Sequence, residues 1–235
     1  MCKNCHDQEL NYADFKDDAM HRDTQISHET YMAMTDDDSV SPFMHIPGWR
    51  HELNFFDLMH NANLGFVRDL AGTVLSEIAE ERSPAGQHPD IVLQKLQTKL
   101  ETWCKHFELH RPTCRLTMAT LGRHTSRTFP SLPSEVKAAH VHSVLYWLSE
   151  LVCELPHRTM YEKVRATCLW AYCDAHYTLN NAGMFLQKQE SARAVRSASL
   201  FLVAYQWLAG EAMQSCSCQY KVRPKLHYYE HTVRL

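Results

Sequence analysis

From Phe55 to Ile78 the apolar residues Phe55, Leu58, Met59, Ala62, Phe66, Leu70, Val74, Leu75 and Ile78 return at steps of three and four. That is the period of an α-helix with one face on a core, and an alternating strand does not produce it. The same period recurs downstream, so the whole of residues 54–235 is expected to be one mostly α, multi-helix domain. Glycine supports this reading: with only 7 in 235 residues, a tight-turned all-β fold is disfavoured, and no glycine-rich phosphate loop occurs.

The breaks between helices follow from proline and glycine. The first helix should stop near Ser83-Pro84. A second runs from about Pro89 to Leu109 on Ile91, Leu93, Leu96, Leu100, Trp103 and Phe107. Residues 111–133 read as a long connector with a short helix or turn near Leu116–Leu121. A third helix starts after Pro133 and runs to about Leu155, with Trp147 on its buried stripe, and Pro156 ends it. The fourth spans about Thr159 to Asn180, with Asn181 and Gly183 as its C-cap; the fifth spans Leu186 to Ser215; a short one covers Pro224 to Val233. Residues 1–53 lack this period. They read as an irregular acidic arm with Asp36, Asp37 and Asp38 and breaks at Pro42, Pro47 and Gly48.

Composition limits the function classes. Hydrophobic residues make up 45%, charged residues 22%, and the net charge is -3, which describes a globular chain with no overall attraction for nucleic acid. The 9 cysteines are scattered through helical stretches and no secretory segment precedes them, so reduced thiols in the nucleus or cytoplasm, not secretion, are expected. No run of eighteen apolar residues suits a membrane span. Cys2-x-x-Cys5-His6 is half of a zinc site and lacks a second CxxC to complete it. There is no Gly-x-Ser-x-Gly or HExxH.

Two segments stand out chemically. Asp57 and His60, at i and i+3 near the start of the first helix, share one face, where the carboxylate orients the imidazole or both share a divalent metal. The second segment is Lys221-Val-Arg223-Pro-Lys225-Leu-His227-Tyr-Tyr-Glu-His231. It interleaves cations with aromatics, a pattern suited to nucleic acid, and His227 and His231 share a helix face that suits a metal or a phosphate. The same residues also describe a solvated amphipathic helix.

In their order and separation these segments resemble a transposase signature. Pro47-Gly48, Phe56-Asp57-Leu58-Met59-His60, Leu64-Gly65, Arg68-Asp69-Leu70-Ala71-Gly72-Thr73-Val74-Leu75, and Pro224-Lys225-Leu226-His227 with His231 are similar to those of hAT-related transposases of the Plavaka and Kyakuja–Dileera–Zisupton kind, over residues 45–235. The resemblance implies an RNase H-like core in which two Asp and one Glu hold two divalent ions, Mg²⁺ or Mn²⁺, for DNA cleavage and strand transfer. It implies that Asp57 and His60 fill the family's Cys-or-Asp-x-x-His motif. The helices from Pro89 to Ser215 would then be the helical insertion domain, and the Pro-Lys-Leu-His segment would lie near the return to the core. The departures are specific. Residues 1–53 do not read as the strands that carry the first Asp, nothing selects among Asp36, Asp37 and Asp38, and Glu230 lies inside the closing motif rather than after it. The expectation is a transposase-derived fragment, inactive alone, with DNA as partner. Two alternatives stand beside it: a non-catalytic α-helical module that binds a protein partner or its own copies, and a small zinc protein organised by the Cys/His-rich ends.

Overall fold

The computed structural model describes residues 13–35, 41–51, 57–125 and 127–234. Cys2, Cys5, His6 and Asp36, Asp37 and Asp38 lie outside these, as do residues 52–56. The described residues form a multi-helix bundle without a β-strand. Its helices are α1 (His28–Ala33), α2 (Val67–Arg82), α3 (Asp90–His106), α4 (Ala138–Glu154), α5 (Met160–Asn181), α6 (Lys188–Gln214) and α7 (Pro224–Arg234). Two 3₁₀ turns, Met20–Arg22 and Pro42–His45, punctuate the N-terminal segment. No helix among the described residues is long and apolar enough to cross a membrane.

The first long helix departs from the regular one expected. Met59–Phe66 is a wide π-helical stretch that ends at a kink, where Gly65 takes the non-helical angles φ -108°, ψ -118°. The regular α2 begins only at Val67. Such widened turns release backbone groups for other partners. Here the amine of Lys225, from α7, donates to the His60 carbonyl over 2.8 Å. A Cβ on Gly65 would stand 2.8 Å from Lys225 Cδ, so the glycine leaves the path for that side chain.

α2 is also more deeply placed than a one-faced amphipathic helix. Every residue from Asp69 to Ala79 is buried, polar ones included. It is the axis of the bundle and packs against α3, α4 and the π stretch. Its buried charged groups are paired, whereas the Thr73 hydroxyl is buried without a hydrogen-bond partner. Arg223 holds Asp69 in a bidentate ion pair. Ser76 donates to the Thr73 carbonyl over 2.8 Å. Glu77 accepts from Arg165, Tyr161 and Tyr220. Burial pushes the Glu77 carboxyl up, against the opposing pull of Arg165 and the two phenols.

α5 and α6 form the most extensive helix pair, joined by a short turn. A capping box starts α5, where the Thr159 hydroxyl accepts from the Glu162 amide and Glu162 accepts from the Thr159 amide. The expected glycine cap at its other end is absent: α5 leaves through Ala182 in an extended conformation (φ -68°, ψ 153°). Trp147 on α4 is 4% exposed and belongs to the core. The N-terminal segment joins that core through Phe15, which is 2% exposed, and its amide donates to Gln206 of α6 over 3.4 Å.

Candidate functional site

The two chemically marked segments meet at the π stretch. Asp57 and His60 stand at its start, on the surface, with side chains 56% and 63% exposed. His60 Nδ1–H donates to Asp57 Oδ2 over 2.6 Å. Asp57 Oδ1 accepts from the amides of Met59 (2.7 Å) and His60 (3.3 Å), an arrangement that caps the helix start. The hydrogen bond from His60 holds the Asp57 carboxyl below the usual range, and both backbone amides act the same way. Lys225 reaches across from α7 to the carbonyl of the same His60, 165 residues away. A carboxylate–imidazole pair at the mouth of the kink is thus locked to the start of α7.

This pair alone does not fit the divalent-metal centre implied by the resemblance. Mg²⁺ and Mn²⁺ want several oxygen ligands. Asp57 offers one carboxylate whose two oxygens are already engaged, and among the described residues no further carboxylate gathers with it. No hydrolytic step is therefore assigned to Asp57 and His60 by themselves.

The closing segment does not present one basic face. The Arg223 guanidinium is committed to buried Asp69, with Nη2 3.1 Å from Oδ1. Lys221 is half-buried with its amine over the Phe129 ring, 5.7 Å from the centroid, and its carbonyl accepts from Tyr205. Lys225 is half-buried on the His60 carbonyl. His227 and His231 are 1% and 6% exposed, because the N-terminal segment covers the face of α7 that carries them. Of the five, Lys221, Arg223 and Lys225 keep part of a cationic side chain at the surface, and the Arg223 guanidinium there is already paired with Asp69.

Under that cover lies an arrangement not anticipated from sequence. His21, from the first 3₁₀ turn, puts Nε2 2.9 Å from Glu230 Oε2. Arg22 donates to Glu230 Oε1 from Nε (3.0 Å) and Nη2 (2.8 Å), and Arg234 adds a third contact at 3.2 Å. His227 and His231 bring their Nε2 atoms within 3.0 Å. The His21 ring stands edge-on to that of His227, with centroids 4.7 Å apart. Burial raises the Glu230 carboxyl, but hydrogen bonds and charge from His21 and Arg22 outweigh it and leave it below the usual range. The signal was present as His227-x-x-Glu230-His231, a spacing that puts two imidazoles and a carboxylate on adjoining helix positions. His21 had no local signal, because it sits in an aperiodic stretch.

A second histidine pair is structural in character. His142 on α4 and His176 on α5 share one hydrogen bond of 3.0 Å beside Tyr172, whose hydroxyl donates to Asn63 of the π stretch. Burial, helped by His142, pushes the His176 imidazole down to about 3, and burial lowers that of His142. Comparison with protein-family models, with curated proteins and with solved structures finds no match to this chain.

Proposed function

We propose that this chain is the helical part of a transposase-type protein, which grips DNA and contributes Asp57 and His60 to a catalytic centre that it does not complete alone. The observation that carries the reading is the junction of the two motif segments. Lys225 passes over Gly65 to hold the carbonyl of His60, so residues 165 positions apart act as one local unit. An ionised Asp57 with its imidazole partner on the surface suits a pair whose remaining ligands come from another domain or chain. α7 begins beside it at Pro224, so the positive end of that helix and the amines of Lys221 and Lys225 favour a phosphate backbone there. Sequence-independent grip by a few cations is the ordinary way in which proteins position DNA.

The test is to cross-link the protein to iodouracil-substituted DNA and map the adducts. Adducts in residues 57–66 and 221–228 are expected. Adducts confined to other surfaces, or none at low salt, would overturn the reading.

One further observation favours a different role. Trp170 of α5 and Leu200, Val203 and Trp207 of α6 stay 37–48% exposed, and the three on α6 recur at steps of three and four. Such a stripe suits a helical interaction module that docks a protein and ignores DNA. A folded chain that binds no DNA under any salt condition would favour that module.

A further inference from the structure

We propose that His21, His227 and Glu230, with His231 beside them, bind one zinc-class transition-metal ion that pins the N-terminal segment to α7. This does not rest on the nucleic-acid reading. One ligand atom from each of His21, His227 and Glu230 lies within 4.8 Å of the other two, and all three residues are buried. The close pairs are His21 Nε2 to Glu230 Oε2 at 2.9 Å and His227 Nε2 to His231 Nε2 at 3.0 Å. An ion bonded at about 2.0–2.2 Å in a tetrahedron places neighbouring ligand atoms about 3.3–3.6 Å apart, so His21 and Glu230 need open by only a few tenths of an ångström, and His227 already lies within 4.8 Å of both. Imidazole nitrogens with one carboxylate oxygen select zinc, cobalt or nickel, whereas magnesium and calcium require a mostly oxygen shell.

The surroundings are built as an outer shell. Arg22 and Arg234 occupy Glu230 Oε1 and leave Oε2 turned to His21. Arg22 is itself fixed by the Phe15 carbonyl at 2.9 Å, on the residue that anchors the segment in the core. Partners of this kind orient metal ligands and hold the carboxylate ionised. The two guanidiniums also repel a cation, and Asp17, 3.6 Å from Arg22, offsets part of that charge. A cavity of about 20 Å³ adjoins the cluster, lined by His21, Arg22, Gln25, Glu230, His231 and Arg234. It has room for one water and none for a substrate, so the site is structural: it cross-links residues 21 and 230 across the bundle.

The ordinary alternative is an ion pair of His21 with Glu230 and a hydrogen bond between His227 and His231. The experiment separates them by titrating the full chain with Co²⁺ and following its visible d–d absorption, then displacing it with Zn²⁺. It is done in a Cys2→Ser/Cys5→Ser background, so that binding at the Cys2-x-x-Cys5-His6 sequence does not contribute. One equivalent should bind, and Zn²⁺ should raise the melting temperature. His21→Gln should weaken binding by more than the roughly 10–100-fold that loss of an outer-shell partner produces. Far-UV circular dichroism should stay unchanged in that variant, because His21 lies outside the long helices. His227→Gln should do the same to binding; if it fails to fold, His21→Gln decides. Absence of saturable Co²⁺ binding and of any Zn²⁺-dependent melting shift would overturn the proposal, as would His21→Gln binding Co²⁺ with unchanged affinity.

Discussion

Replacing Gly72 with alanine should destabilise the bundle although alanine is the better helix former. On propensity alone the exchange in a helix interior favours alanine by about 1 kcal/mol. Gly72, however, is where the 111–133 connector crosses α2. The Ser131 amide donates to the Leu121 carbonyl over 2.9 Å and the Leu132 amide donates to the Arg68 carbonyl over 3.0 Å, which holds the crossing strand of chain against the helix. A Cβ on Gly72 would stand 2.5 Å from Ser131 Cα and 2.6 Å from its N and C atoms. Backbone so tethered has no rotamer with which to yield, and a methyl added to such a site costs about 1–3 kcal/mol or more. An approach of 2.5 Å to backbone atoms takes the upper part of that range, so the net loss is on the order of 1–2 kcal/mol, or roughly 2–8 °C in melting temperature for a chain of this size. Gly210 supplies the control. It lies within α6, and a Cβ there meets nothing within 4 Å. Gly210→Ala should therefore be neutral or should raise the melting temperature by a few degrees, roughly 0.5–1 kcal/mol. Thermal melts followed by circular dichroism read both variants. If Gly72→Ala melts at or above the parent, the contact between connector and α2 is wrong.

Acid should weaken the fold through His176. Its folded value is pushed down to about 3 by burial and by His142, whereas the unfolded side chain titrates near 6.5. The unfolded chain thus takes up the proton first, and stability present above about pH 6.5 falls by about 1.4 kcal/mol per unit as pH drops toward 3. Melts between pH 7 and 5 should show a loss of roughly 2 kcal/mol that His176→Gln flattens; parallel curves for variant and parent would remove the buried neutral imidazole. Arg165→Met leaves Glu77 buried with only its phenol donors, and should cost about 3–5 kcal/mol by melting or denaturant titration. Because burial already raises the Glu77 carboxyl, the folded variant binds a proton more readily than its unfolded chain, so its deficit against the parent should shrink as pH falls; a deficit independent of pH would count against an ionised, Arg-paired Glu77.

The helices were legible wherever period and punctuation agreed. The fourth helix was expected from about Thr159, which is the N-cap of α5, and α4 stops before Pro156 and α7 opens on Pro224. Where the backbone stops a helix without glycine, the sequence was silent. α3 and α6 both end on left-handed residues that carry a side chain, Glu108 (φ 55°) and Cys216 (φ 52°), which satisfy the last carbonyls through Leu109 and Ser217 amides. Gly183 drew the opposite error, since a glycine after a helix suggests a left-handed cap that Ala182 makes unnecessary. At the site, Asp57 and His60 were readable because a pair at i and i+3 is a local fact. Arg223 was not: its partner Asp69 is 154 residues away, and a basic residue among aromatics looks the same whether it faces phosphate or a buried carboxylate. His227 and His231 shared a face as expected, but burial of that face depends on His21 and Phe15, from a segment without periodicity.

The central claim is that the junction of Asp57, His60 and Lys225 belongs to a DNA-engaging protein. Its most direct test is the fluorescence anisotropy of a labelled duplex titrated with the parent chain and with Lys225→Gln, across a series of salt concentrations, with circular dichroism confirming that both are folded. The account predicts binding at low salt that weakens linearly on logarithmic axes, and a slope smaller by about one in the variant. Absence of binding at the lowest salt, or identical slopes for parent and variant, would contradict it.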